Sequence, residues 1–141
     1  MGYRSDVSLC IYGCREKMLA FVAAQRIARP NDYAIWKDEI QITKFDDKVM
    51  MRADFNHVKW YDSFDDVQCY RRLLDAAGQD DDICYEFVRI GEEYEDNETE
   101  FHGEDVQFFI SIHREITYDY PNMEDYNNGG YTSDGVSSGA P

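Results

Sequence analysis

Cys10 and Cys14, four residues apart, and the adjacent acids Asp65-Asp66 and Glu92-Glu93 are the side chains best suited by type and spacing to do chemistry. Paired carboxylates act as general acid and base, or hold a divalent ion, only when they converge on one point. Successive side chains on a strand leave opposite faces, so Glu92 and Glu93 would diverge if that segment is extended. Asp80-Asp81-Asp82 lacks the spaced ligands and the glycine of a calcium loop. Structural zinc needs clustered ligands at short spacing. Here Cys69 and Cys84 are remote from Cys10-x-x-x-Cys14, and His57, His102 and His113 are scattered. Cys14 falls near the start of a predicted helix, a position that favours a thiolate. His113 has no obvious acid–base partner. Trp36, Trp60 and Tyr61 could form an aromatic platform, although such residues usually pack cores and loops. Phosphate-loop, nucleophile-elbow and zinc-protease motifs are absent from the sequence. The expectation is a protein that is not an enzyme, with no metal and no cofactor, whose four cysteines are reduced thiols.

The elements that would position these residues follow from periodicity. Asp6 to Tyr12 alternates, with Val7, Leu9 and Ile11 on one face, as a half-buried strand does. Arg15 to Arg29 places Met18, Phe21, Val22 and Gln25 at helical spacing, and Pro30 stops that helix. Ile40 to Phe45 and Val49 to Phe55 flank Asp46-Asp47, which predicts an antiparallel hairpin. Ser63 reads as the N-cap of a second helix, with Asp65 and Asp66 in its first turn, running to about Ala77. Ile83 to Ile90 is a fourth strand, about Glu98 to His102 a fifth, and about Gln107 to Ile116 a sixth. The first six elements, β-α-β-β-α-β, match a ferredoxin-like α+β plan. It has two helices on one face of an antiparallel sheet, with extra C-terminal strands. Residues 1–117 are expected to form one domain. Residues 118–141 lack Leu, Ile and Phe and are rich in Tyr, Gly and Ser, which predicts a disordered acidic tail.

Charge carries the strongest signal. Of 141 residues, 14 are Lys or Arg and 29 are Asp or Glu, a formal net charge of −15. Residues 1–60 hold ten basic and eight acidic side chains, a net of +2, so residues 61–141 carry −17. The dense stretch contains Asp80, Asp81, Asp82, Glu86, Glu92, Glu93, Glu95, Asp96, Glu98, Glu100, Glu104 and Asp105, opposed within it only by Arg89. Such a surface repels phosphates, which excludes direct nucleic-acid binding. No apolar run reaches the ~20 residues that span a bilayer, and the first residues lack a basic-then-apolar signal, so a cytoplasmic protein is expected. Glu98 and Glu100, two apart on a strand, would lie about 6.8 Å apart on one face. An acidic ribbon of this density could imitate DNA, whose phosphates recur every ~3.4 Å per strand, and attract a basic groove. The expected docking surface comprises Asp80, Asp81, Asp82, Glu92, Glu93, Glu95, Asp96, Glu98, Glu100, Glu104 and Asp105. Tyr94 and Phe101 would be its aromatic anchors.

Three segments also carry a likeness: Met1-Gly2-Tyr3-Arg4-Ser5-Asp6-Val7, Lys59-Trp60-Tyr61-Asp62-Ser63, and Tyr85-Glu86-Phe87-Val88-Arg89-Ile90-Gly91-Glu92. Together with Gly103-Glu104-Asp105 they resemble a group of small acidic proteins encoded by tailed bacteriophages. The likeness covers about residues 1–116 and transfers no active-site residue. It implies a phage accessory protein made in the bacterial host cytoplasm, a class that often inhibits host enzymes, including defence nucleases. The function expected is therefore a non-enzymatic inhibitor that binds a basic, nucleic-acid-handling host protein. The alternative is a phage structural or assembly module making protein–protein contacts. Sequence does not decide the oligomeric state.

Overall fold

The computed structural model describes residues 2–113. Eight elements follow in order: β1 (Ser5–Cys14), α1 (Arg15–Ala28), α2 (Pro30–Trp36), β2 (Gln41–Phe45), β3 (Lys48–Val58), α3 (Asp65–Ala77), β4 (Cys84–Gly91) and β5 (Asn97–His102). This is an α+β fold with one five-stranded sheet, ordered β2-β3-β1-β4-β5, in which every neighbouring pair is antiparallel. The expected tail, residues 118–141, lies outside the described residues.

Alternation in the strands sorts the two faces of the sheet. Val7, Leu9, Ile11, Met51, Ala53 and Phe87 face the helices and close a core with Met18, Phe21, Trp36, Tyr70, Leu73 and Leu74. The opposite face gathers a smaller cluster of Cys10, Tyr12 and Cys84, with Phe45, Met50, Val106 and Ile110 packed against it.

Three expectations are corrected. Pro30 does end α1, but it also begins a third helix, α2. Proline at the first helical position loses nothing, because that N–H has no helical partner. Trp36 buries itself in the core, and an Arg72–Asp32 ion pair with bonds of 2.7 and 2.8 Å fastens α2 to α3. The cap of α3 is Phe64 rather than Ser63, and it makes no side-chain cap bond. The sixth strand is absent over its described part, residues 107–113. Phe108 takes φ +56°, which breaks an extended run. The N–H groups of Gln107 and Ile110 donate to Tyr12 Oη (2.7 Å) and Glu86 Oε1 (2.9 Å) instead of to a strand. Residues 106–113 therefore cross the helix-free face of the sheet as a strap.

Candidate functional site

The acidic residues distribute along one edge of the sheet. β5 is the edge strand, and six residues at ~3.4 Å each give it a length of about 20 Å. At one end lies the β4–β5 turn with Glu92, Glu93, Tyr94, Glu95 and Asp96; at the other lie Asp80–Asp82 and the turn carrying Glu104 and Asp105. His102 Nε2 at 3.2 Å from the Asp80 carbonyl joins the last two segments.

Basic side chains from the body of the protein neutralise part of this edge. Arg89 reaches Asp96 (Nη2–Oδ1 2.7 Å) and Glu98, and its Nη1 donates to Ser5 Oγ (3.0 Å). Tyr3 Oη donates to Asp96 Oδ2 (2.6 Å) and accepts the Glu93 N–H (3.1 Å). The bonds from Arg89, then Tyr3, hold the Asp96 carboxyl down at about 2. The Arg4 N–H donates to Glu92 Oε2 (2.6 Å). Arg71, from α3, donates to Glu100 (2.8 Å) and covers the Phe87 ring at 5.0 Å. Lys17 sits 3.4 Å from Asp80 and 3.2 Å from Asp82.

What remains is more selective than the full acidic stretch. Among the described residues, Asp81, Glu93, Glu95, Glu104 and Asp105 are exposed and have neither an ion pair with a basic side chain nor, as Glu92 has, a bond from the N-terminal backbone. They form two groups, one at each end of β5. Glu98 and Glu100 face the helices, as their register with Arg89 and Phe87 requires. Phe101 turns to the opposite face and packs on Phe108 with ring centroids 4.9 Å apart, whereas Tyr94 stands at the turn, 72% exposed. Gly91 lies under this turn. A Cβ there would collide with Tyr3 Oη and Asp96 Oδ2, so a side chain at this position would displace the Tyr3–Asp96 contact.

Glu86, part of the same acidic stretch in sequence, is not on this surface. It is fully buried on the helix-free face, where Tyr12 Oη donates to Oε2 (2.6 Å) and the strap's Ile110 N–H donates to Oε1. Sequence reasoning missed this pair. The available signal was a carboxylate alternating with Cys84 and Val88 on a strand whose neighbour presents Tyr12.

A polar cavity of about 360 Å³ opens beside the strap, lined by Ser8, Cys10, Arg52, Asp54, Ser111 and His113 among others. Its groups satisfy one another. Arg52 donates twice to Asp54 (3.1 and 2.7 Å), Ser8 Oγ donates to Asp54 (2.7 Å), and Ser111 Oγ lies 3.0 Å from His113 Nε2. Burial, then the nearby Glu86 charge, push the Cys10 thiol up to about 12, so it is no nucleophile at neutral pH. Cys14 is exposed at the start of α1. Trp36 and Trp60 pack inward and Tyr61 contacts Phe64, so the three do not build one platform. Among the described residues no three His, Cys, Asp or Glu side chains are placed to hold a metal ion. No helix among them is long and apolar enough to cross a membrane.

Fold and site together define an α+β protein with an antiparallel sheet, an acidic edge and a strapped rear face. No family model, curated protein or solved structure matches the chain.

Proposed function

We propose that the β5 edge is a docking surface for a basic, nucleic-acid-handling host protein, and that the chain inhibits that protein without being an enzyme. In this reading β1, α1, β2, β3, α3 and β4 form a ferredoxin-like core, and the chain is a phage product acting in the bacterial cytoplasm. One observation carries the reading: exposed carboxylates without cationic partners among the described residues stand at both ends of a strand about 20 Å long, a span comparable to several phosphates of a nucleic-acid strand. Charges of this kind raise the encounter rate with a basic groove, and salt screens them. Tyr94, exposed between Glu93 and Glu95, supplies the apolar contact that charge alone does not give.

The test is capture from nuclease-treated bacterial lysate on the tagged full chain, at low and high salt, read by mass spectrometry. The companion bait converts Asp81, Glu93, Glu95, Glu104 and Asp105 to Asn or Gln. A basic nucleic-acid-handling protein retained by the native chain at low salt, released at high salt and not retained by the companion bait is the expected result. Equal capture by both baits would overturn the proposal.

A further inference from the structure

We infer that the opposite edge of the sheet, β2, is the contact between two copies of this chain. The two-residue turn Asp46-Asp47 makes Phe45 and Lys48 a hydrogen-bonded pair, so Gln41 and Thr43 also bond inward to β3. Ile42 and Lys44 then turn their N–H and C=O groups outward. Among the described residues no backbone or side chain bonds them. Unpaired strand edges of this kind are templates for another strand.

Apolar surface continues from that edge. An open groove of about 660 Å³ runs between α1 and β2, lined by Met18, Val22, Ile27, Tyr33, Ile42 and Met51 among others, with Arg26 as its one charged wall. Leu19 is 59% exposed, Ile27 81% and Ile42 59%. A free edge and an adjacent apolar groove are what a strand-paired dimer would cover together.

Charge selects a second copy as the occupant. Self-pairing through β5 about Thr99 would set Glu98 of one copy opposite Glu100 of the other, and like charges directly opposite are destabilising. β2 holds a single charged side chain, Lys44, and lies in the half of the sequence whose net charge is +2. A two-fold axis through Thr43 sets Ile42 of one copy opposite Lys44 of the other, so four backbone bonds form and no like charges meet. The Lys44 stem can lie over the facing Ile42 while its ammonium stays in water. The result is a ten-stranded sheet, twice the five of one chain, with an acidic edge at each far end.

The experiment is the mass of the full chain in solution across concentration and salt, with circular dichroism as the folding control. Twice 16.5 kDa is expected. Dimerisation should strengthen with salt, because screening relieves repulsion between two chains of −15 each. Lys44→Pro removes an outward N–H and leaves the β3 ladder intact, and Ile42→Lys opposes two cations; both should give folded monomers. Thr43→Cys should cross-link across the axis, since a non-hydrogen-bonded antiparallel pair has Cα atoms about 4.5 Å apart, within disulfide reach. A monomer under all conditions, or a dimer that survives both substitutions and does not cross-link through position 43, overturns the inference.

Discussion

Asp96 shows how one carboxylate can belong to the fold rather than to a binding surface. It accepts from Arg89 and Tyr3 and so holds the β4–β5 turn against the N-terminal segment. Its carboxyl sits at about 2, against an ordinary value of 3.8. A group held below its unfolded value adds stability above that value and loses it as pH falls through the folded one. The clamp is therefore fully effective above about pH 4, weakens as pH falls toward 2 and is gone below that. Carboxyl-carbon NMR should find the Asp96 midpoint well under 3.8, rising in Tyr3→Phe and rising further in Arg89→Gln, since Arg89 is the larger cause. An unmoved midpoint in both variants would refute the clamp. Tyr12 is the second instance. Tyr12→Phe leaves the buried Glu86 Oε2 and the half-buried Gln107 N–H without the hydroxyl, and such a loss costs about 2 kcal/mol. Urea unfolding should show it as a lower midpoint at unchanged slope, and an unaltered midpoint would mean that water replaces the hydroxyl.

Among the elements, the regular ones were legible and the irregular ones were not. Strand alternation in β1 and β3 and the apolar stripe of α3 each point to a buried face, and the structure buries those faces, while β1 and β4 are buried on the strap side as well. Pro30 is ambiguous by nature: the same residue that stops one helix is an ideal first residue for the next. The strap misled for a different reason. Phe108, Ile110 and Ile112 alternate as a strand would, but tertiary partners on the sheet below outbid strand pairing for the backbone donors. Of the acidic edge, the charge density was legible and the neutralisation was not. Arg71, Arg89 and Lys17 come from different elements, and only folding brings them to Glu100, Asp96 and Asp80. Thiol reactivity tests the strap as an element. Cys14 is exposed, while Cys10, Cys84 and Cys69 are buried. A thiol reagent should modify one cysteine in the native chain. Ile110→Asp, which puts a carboxylate into the cluster under the strap, should open Cys10 and Cys84 while Cys69, behind the sheet among the helices, stays protected. Simultaneous exposure of all three would mean that the strap is not a separate unit but part of the global fold.

At the scale of the whole molecule, charge is segregated along the sheet, and the two proposed contacts should answer salt in opposite ways. Salt should weaken attraction between the β5 edge and a basic partner and strengthen approach of two like-charged copies at β2. The acidic side chains divide accordingly into two sets with different expected effects. Asp96, Glu98 and Glu100 are tied to Arg89 and Arg71, so converting them to amides removes ion pairs and strands cations. Their loss should lower the melting temperature. Arg89 keeps 13% of its side chain exposed and Arg71 35%, so the fall should be largest where Arg89 is stranded. Asp81, Glu93, Glu95, Glu104 and Asp105 have no such partners among the described residues, and their mutual repulsion opposes folding. Converting them should hold or raise the melting temperature at low salt and yet weaken partner binding and flatten its salt dependence. Calorimetric melting, with binding measured over a salt series on the captured partner, separates the sets. If the first set weakens binding as much as the second, the edge acts through its conformation. If neither set alters binding, the acidic edge serves solubility, and the molecule's contacts are made elsewhere, with the β2 edge the next surface to test.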